Sequence, residues 1–228
     1  MTQQPYGRMT AVVFDLDGTL IDTMTAAPAA YADTIRSLGG PDVSPADIVA
    51  GWHIGPTRAV LAHFLGRTIS AGELECFYHH FEAAVATVQP FPGVVQMLDA
   101  LSRDGYRLGV FTSATRRAAT LTLATAYLDR FFSTVICGDD VSKPKPAPEG
   151  LQLACRNLGA NPAESAYVGD AQVDLACAKA AGAKAVRASW GSSRPGVADP
   201  GCVAHRPSDI PDLFRRPAPQ RARSRPWC

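Results

Sequence analysis

The sequence predicts an α/β fold in which a parallel sheet lies between layers of helices and a wholly helical segment is inserted near the start. Three observations lead to this prediction. Short apolar runs alternate with helical stretches along most of the 228 residues. Two of these runs, at 12–16 and 166–168, are followed by an acidic residue next to a glycine. The alternation stops only between about 23 and 90, where helical patterns follow one another.

The first element is a buried strand that delivers two acids to one point. Residues 12–16 are apolar apart from Asp15, and Asp17 follows on a turn that contains Gly18. Alternate residues of an extended chain point the same way, so both acids converge at the carboxyl end of the strand, where open α/β sheets bind ligands. Because close carboxylates repel, we expect a divalent cation there, and oxygen ligands suit Mg²⁺. The alternative is a strand that ends in an ordinary Asx-type turn.

The helical segment that follows contains a candidate substrate-recognition element. The loop at 51–58 combines two glycines with Trp52, His53 and Arg58. We interpret these three side chains as determinants of substrate choice. The alternative is that Trp52 packs inside, His53 is solvated and Arg58 forms a surface pair. Amphipathic helical patterns cover about 26–38, 57–65 and 71–88.

Two later strands end in groups that suit a phosphate. The strand at 106–111 runs into Thr112 and Ser113 before a helix, and hydroxyls at a helix start can bind an oxyanion, although they are also ordinary N-caps. The strand at 135–137 leads into a loop that alternating prolines stiffen, so a lysine there would have little freedom. A lysine held near carboxylates would neutralise them and bind a phosphoryl oxygen.

The last informative strand ends in a second pair of acids. The run at 166–168 is followed by Gly169 and Asp170, and Asp174 lies one turn into the next helix. If this strand lies beside the first, Asp170 can complete the oxygen shell of the metal. Asp174 would then orient a metal water or a lysine. The alternative is that Asp174 only complements the helix dipole.

The order and spacing of these motifs resemble the haloacid dehalogenase superfamily of aspartate-nucleophile hydrolases, and within it the phosphoglycolate-phosphatase-like group. The resemblance runs from about 10 to 214 and rests on Asp-Leu-Asp-Gly-Thr-Leu, the strand-end threonine, Lys-Pro-Ala-Pro-Glu and Gly-Asp-x-x-x-Asp. It implies a Rossmann-like three-layer core with a parallel sheet, formed by 1–22 and 89–214. It also implies an inserted all-helical cap domain at 23–88 that closes over the active site.

The resemblance implies catalytic roles for individual residues. Asp15 would be the nucleophile that attacks phosphorus and forms an aspartyl-phosphate. Asp17 would be the general acid and base, which protonates the leaving alcohol and then activates water. Thr112, Ser113 and Lys145 would bind the phosphoryl group. Lys143 is also followed by proline, but Lys145 begins the run Lys-Pro-Ala-Pro-Glu on which the resemblance rests.

The metal and cap assignments follow from the same resemblance. Asp15, the backbone carbonyl of Asp17, and Asp170 would ligate Mg²⁺, with Asp174 supporting the metal or the lysine. Arg58 stands at a spacing after Gly55 that is seen in sugar-phosphate members of the family, where the arginine binds the distal anion of the substrate.

The function predicted from these motifs is a Mg-dependent phosphomonoester hydrolase that acts on a small phosphorylated metabolite, with phosphoglycolate as the default substrate. A β-phosphoglucomutase-like sugar phosphomutase shares the core motifs, but such enzymes carry a histidine soon after the first motif and 24–31 contains none. A dehalogenase normally lacks the second acid, which is present here as Asp17. A non-catalytic binding module is disfavoured because all four motifs are intact.

Composition argues against several partners and locations. The net charge of +1 gives no electrostatic argument for binding nucleic acid or a membrane surface. No apolar stretch approaches membrane-spanning length and the start shows no signal pattern, so we expect neither a membrane anchor nor export. The six cysteines form no CxxC pair, which predicts reduced thiols in the cytoplasm. A monomer or homodimer is expected, with a disordered basic tail at 215–228.

Overall fold

The computed structural model of the protein describes residues 9–191 and 202–214. Its centre is a six-stranded sheet in which every neighbouring pair of strands is parallel. The predicted tail at 215–228 lies outside the described residues. The strands are β1 (Ala11–Phe14), β2 (Arg107–Phe111), β3 (Thr134–Ile136), β4 (Ser165–Gly169), β5 (Lys184–Ala188) and β6 (Val203–Ala204).

Helices surround the sheet and also form the segment between β1 and β2. None of those described is long and apolar enough to cross a membrane. The helices are α1 (Ala26–Ser37), α2 (Pro45–Gly51), α3 (Thr57–Leu65), α4 (Ala71–Val85), α5 (Val94–Arg103), α6 (Arg116–Thr125), α7 (Glu149–Asn157), α8 (Gln172–Ala181) and α9 (Asp209–Phe214).

The sheet is buried on both faces, as parallel sheets are. Side chains of β1 alternate between two apolar clusters, with Val12 and Phe14 in one and Ala11 and Val13 in the other. This pattern confirms the predicted α/β class with a Rossmann-like layered core. The order β3-β2-β1-β4-β5-β6 places β1 between β2 and β4.

The strand order brings the predicted site motifs together. Phe14 stands opposite Val110 of β2 and Val168 of β4, so the strand that leads to Asp170 lies beside the first strand, which is the arrangement that the metal hypothesis requires. The carboxyl ends of all three strands therefore share one edge of the sheet, which is where α/β folds bind ligands.

The helical segment 26–85 contains one helix that the periodicity did not indicate. α2 begins after Ser44, whose hydroxyl oxygen accepts a hydrogen bond from the amide of Asp47, and Pro45 occupies its first position. Both are ordinary start signals, so the helix was readable from capping chemistry rather than from apolar spacing. Residues 52–54, which we expected to be a loop, form a short 3₁₀ helix directly after α2. The strands β5 and β6 and the helix α9 were also not predicted individually.

Candidate active site

Four charged side chains meet at the carboxyl edge of the sheet, and we call them the strand-end cluster. Asp15 follows β1, Asp170 follows β4, Asp174 lies in the first turn of α8, and Lys145 comes from the loop after β3. The amide of Asp15 donates to the carbonyl of Val168 at 2.9 Å, which continues the pairing of β1 with β4 past the last strand residue. Residues that lie up to 159 positions apart in the chain are thereby held at one point.

Lys145 forms two ion pairs inside this cluster. Its Nζ donates to Asp15 Oδ1 at 2.6 Å and to Asp174 Oδ1 at 2.8 Å. The lysine side chain is only 3% exposed and that of Asp174 only 2%, so bulk water solvates neither charged group. Lys143 is exposed, and its backbone amide donates to Glu149 Oε2. The structure thus brings Lys145 to Asp15 and leaves Lys143 at the surface.

The cluster carries more negative than positive charge. Burial raises the pKa of Asp15 well above its usual value, and the neighbouring carboxylates Asp174 and Asp170 raise it further, while Lys145 acts in the opposite direction. Burial alone would lower the pKa of Lys145, but Asp15 and Asp174 outweigh it and the net pKa is raised. Three acids beside one ammonium group therefore leave excess negative charge, which a further cation could neutralise.

The residues present fit a metal ion of the oxygen-binding kind. Asp15, Asp170 and Asp174 each offer a carboxylate oxygen, and these atoms lie within 4.8 Å of one another in a buried position. Asp170 Oδ1 accepts from the hydroxyl of Thr19 at 3.2 Å. Gly18 has a φ of +84°, and a Cβ there would stand 2.9 Å from Asp170 Oδ2. Glycine is thus required both by the turn and by the close approach of this carboxylate.

Asp17 lies beside the cluster and has a different environment. It is half-buried, and its Oδ1 accepts from the hydroxyl of Thr23 at 2.5 Å. Thr23 is fully buried and stands in the connection that leads to α1. A residue of the connection between the sheet and the helical segment, Thr23, therefore orients Asp17. Asp15 is instead held by backbone pairing within the sheet.

The predicted phosphate-binding hydroxyls lie at the end of β2. Thr112 is almost fully buried; its amide donates to the carbonyl of Ile136 at 3.0 Å and its Oγ1 accepts from the amide of Ala114 at 3.0 Å. Ser113 is exposed. Thr115 is the N-cap of the following helix, α6, and its hydroxyl accepts from the amide of Ala118. Both predicted hydroxyls thus precede a helix start.

The predicted recognition residues lie in the helical segment. Trp52 is half-buried and packs against the main apolar cluster. Arg58 is exposed, and its Nη1 donates to the carbonyl of Ile69. His53 lies in the same short helix as Trp52, but its side chain is outside the described part of the structure. Among the residues that the structure describes, no hydrogen bond, ion pair or ring contact joins Trp52 or Arg58 to the cluster, so their role in substrate choice stays a prediction.

Contacts between the helical segment and the sheet domain were missed by the sequence reasoning. Glu75 of α4 accepts from Nη1 of Arg117 in α6 at 2.6 and 2.7 Å. The Arg117 guanidinium also lies 4.0 Å from the ring centroid of Tyr78, and the hydroxyls of Tyr78 and Thr115 are 3.0 Å apart. These residues had no sequence signal, because only the fold places α4 against α6.

A buried hydroxyl pair joins two helices of the segment. The hydroxyl of Tyr31 in α1 donates to Thr57 Oγ1 at the start of α3 at 3.0 Å. Burial raises the pKa of Tyr31 to about 12, and the charge of Asp17 contributes to the increase. The phenol therefore stays protonated over the range in which proteins function.

Known proteins resemble this chain over nearly its whole length. A sequence model of the family described as haloacid dehalogenase-like hydrolase matches residues 12–188. A pyrophosphatase, PpaX, from Bacillus velezensis is 33% identical over 209 residues, which are 89% of this chain and 95% of that protein. A phosphoglycolate phosphatase from Aquifex aeolicus is 31% identical over 207 residues, 90% of this chain and 97% of that protein.

The fold is also found in a solved structure. The crystal structure of a predicted phosphoglycolate phosphatase from Haemophilus somnus superposes with a TM-score of 0.76 at 23% identity, and it covers 92% of this chain and 99% of that one. At this identity the likeness bears on the fold alone.

Proposed function

The chain belongs to the haloacid dehalogenase-like hydrolases, and from that premise we propose that it is a phosphatase that hydrolyses a small phosphorylated metabolite through an aspartyl-phosphate. The observation that carries the proposal is the strand-end cluster, in which a buried lysine bridges Asp15 and Asp174. An ammonium group held against a carboxylate at the ligand-binding edge is suited to bind the oxygens of a transferring phosphoryl group.

In the proposed reaction Asp15 is the nucleophile. One of its carboxylate oxygens forms a bond to phosphorus while the bond between phosphorus and the leaving alcohol oxygen breaks. Lys145, 2.6 Å from Asp15 Oδ1, holds a phosphoryl oxygen next to that carboxylate. Thr112 and Ser113 bind the same group from the end of β2. Water then attacks the phosphorus, which releases inorganic phosphate and restores Asp15.

Asp17 is the proposed general acid and base. It gives a proton to the leaving oxygen in the first step and takes one from water in the second. Its position outside the fully buried cluster supports this division, because a group that exchanges protons needs access to the leaving group and to water. The hydrogen bond from Thr23 fixes its orientation.

The proposed cofactor is Mg²⁺. Asp15, the carbonyl of Asp17 and Asp170 would hold it, with Asp174 in support through its bond to Lys145. When bound, the ion would neutralise the excess carboxylate charge and polarise the phosphoryl group. Hard carboxylate oxygens are the ligands that this ion prefers.

The proposed division of the chain is a catalytic core at 1–22 and 89–214 with a cap at 23–88. The cap would exclude water and choose the substrate, with Trp52, His53 and Arg58 as its recognition residues. The relatives named above include a phosphoglycolate phosphatase and a pyrophosphatase, which supports a small substrate that carries little besides its phosphate. The described cysteines are all free, which fits the proposed cytoplasmic location.

The test is phosphate release with Mg²⁺ from p-nitrophenyl phosphate and from a panel of phosphorylated metabolites that includes phosphoglycolate and inorganic pyrophosphate. We expect steady turnover of the aryl phosphate and a much higher kcat/KM for one small substrate. A hexose phosphate that is isomerised without release of phosphate would instead identify a phosphomutase. Absence of turnover across the panel would refute the hydrolase.

A further inference from the structure

Tyr167 has no role in the reaction proposed above, although it is the largest fully buried side chain among the described residues. It lies in β4, three residues before Asp170. A buried hydroxyl requires a partner, and that of Tyr167 donates to the carbonyl oxygen of Phe111 at 2.7 Å. Because β1 lies between β4 and β2, this bond spans three strands of the sheet.

The ring of Tyr167 helps to enclose the lysine of the strand-end cluster. Nζ of Lys145 is 5.3 Å from its centroid and 5.0 Å from that of Phe111. The two rings stack at 6.0 Å with an interplanar angle of 30°. Aromatic faces attract an ammonium group at such distances, most strongly where water is excluded. Asp15, Asp174, Phe111 and Tyr167 thus form what we call the lysine cage.

The hydroxyl of Tyr167 connects this cage to the phosphate-binding end of β2. Its oxygen is 3.3 Å from Asp174 Oδ1, the same atom that accepts from Lys145. Its shorter hydrogen bond is the one to the carbonyl oxygen of Phe111, which belongs to the peptide group that precedes Thr112. A carbonyl oxygen and a carboxylate oxygen can only accept, so the hydroxyl of Tyr167 is the donor in both contacts.

We propose that Tyr167 is a positioning residue that fixes Lys145 against Asp15, with its ring confining the ammonium group and its hydroxyl tying Asp174 to the end of β2. The kinetic consequence of this inference rests on the proposed phosphatase function, whereas its effect on the lysine does not. A phosphoryl group must meet Asp15 and Lys145 in one geometry, and small displacements of such groups are costly in rate.

The first test replaces Tyr167 by phenylalanine, which keeps the ring and removes only the hydroxyl. Tyr106 offers a matched control, because its hydroxyl donates to a backbone carbonyl, that of Phe214, at 2.9 Å near the opposite end of β2. We expect Tyr167→Phe to lower kcat for p-nitrophenyl phosphate about fivefold to tenfold with KM nearly unchanged. Tyr106→Phe should keep the kcat of the wild type. An active Tyr167→Phe enzyme with an unchanged kcat would overturn the inference.

The second test reads the lysine directly and needs no turnover. Partial acetylation with acetic anhydride, followed by peptide mass spectrometry, gives the reactivity of Lys145 relative to Lys143, Lys179 and Lys184 in the same molecule. Lys145 should react slowest in the wild type and in Tyr106→Phe, and several times faster in Tyr167→Phe. Unchanged labelling of Lys145 in Tyr167→Phe would overturn the inference. If the wild type hydrolyses nothing, the phosphatase proposal fails and this labelling still decides the role of Tyr167.

Discussion

The strand-end cluster and the helical segment 26–85 place their charges in opposite environments. In the cluster, the side chains of Lys145 and Asp174 are 3% and 2% exposed and share one ion pair. In the helical segment, Arg36 and Asp33 pair at 2.7 Å with exposed fractions of 59% and 52%. The same kind of interaction is therefore dry in one region and solvated in the other.

This difference determines how each region responds to change. Removing one partner of a buried pair costs about 3–5 kcal/mol, because it leaves an uncompensated charge. An exposed pair contributes about 0–1 kcal/mol. Substitutions in the cluster should therefore be costly, while most charges of the helical segment can change with little effect. We infer that the reaction is fixed at the sheet edge and that substrate choice can vary in the helices.

The largest effect that this contrast predicts is for Asp15→Asn. Turnover should fall to background because the nucleophile is lost. In metal-free protein the melting temperature should change little, because Lys145 keeps its second buried partner, Asp174, and the repulsion between Asp15 and the neighbouring acids is removed. Kinetics together with thermal unfolding in EDTA would check both statements. A variant that hydrolyses substrate at near wild-type rate would remove Asp15 from the reaction.

Metal removal should have the next largest effect, and it should act on the cluster alone. EDTA should stop activity, Mg²⁺ should restore it, and Ca²⁺ should inhibit because its larger and looser oxygen shell disfavours the required geometry. Asp170→Asn should raise the Mg²⁺ concentration needed for half activity at least about tenfold. Asp139→Asn is the matched control, since that exposed acid accepts from the amide of Arg116. Full activity after exhaustive chelation would contradict the metal site.

The arginine at the start of α3 tests whether the helical segment selects the substrate. Arg58→Ala should lower kcat/KM for the preferred anionic metabolite about tenfold to a hundredfold, because a charged group loses its partner. Hydrolysis of p-nitrophenyl phosphate should change much less. Arg36→Ala, which removes an exposed arginine of the same segment, should affect neither substrate. Equal losses on both substrates at unchanged stability would end the selectivity role of Arg58.

The smallest effect concerns stability at the start of α4. Arg67 and then Ser70 lower the pKa of Glu73 from 4.5 to about 2. A carboxyl whose pKa is lowered by folding stabilises the protein above its unfolded pKa, and this contribution disappears as the pH falls through the folded value. Glu73→Gln should therefore unfold at slightly lower urea concentration at pH 7. The difference should shrink below about pH 4.5, and a constant difference down to pH 3 would contradict the assignment.

The sequence predicted those parts of the site that follow strands and glycines. Asp15, Thr112 and Asp170 each stand after an apolar run, so their shared edge followed from the parallel α/β pattern alone. The run Lys-Pro-Ala-Pro-Glu favoured Lys145 over Lys143 only by resemblance. The contact with Asp15 distinguishes the two lysines, and it depends on the folded path of the proline loop.

The parts that could not be predicted depend on contacts between distant elements. Tyr167 lies in an apolar run like any strand residue. Its hydrogen bond to Phe111 depends on the strand order, which places β4 and β2 on either side of β1. The pairing of Glu75 with Arg117 likewise requires α4 to pack on α6. The helix α2 is different: Ser44 and Pro45 marked its start, but it is too short for apolar periodicity to reveal it.

The most direct test of the central claim is to locate the phosphoryl group during turnover. Asp17→Asn should slow the release of phosphate by about 10²–10⁴ because acid and base catalysis is lost. The variant should then accumulate phosphoenzyme when it is mixed with substrate and Mg²⁺ and quenched in acid. Mass spectrometry of its peptides should find the mass of one phosphoryl group on Asp15. Phosphate carried by another residue, or wild-type turnover with no phosphoenzyme in any variant, would contradict the account.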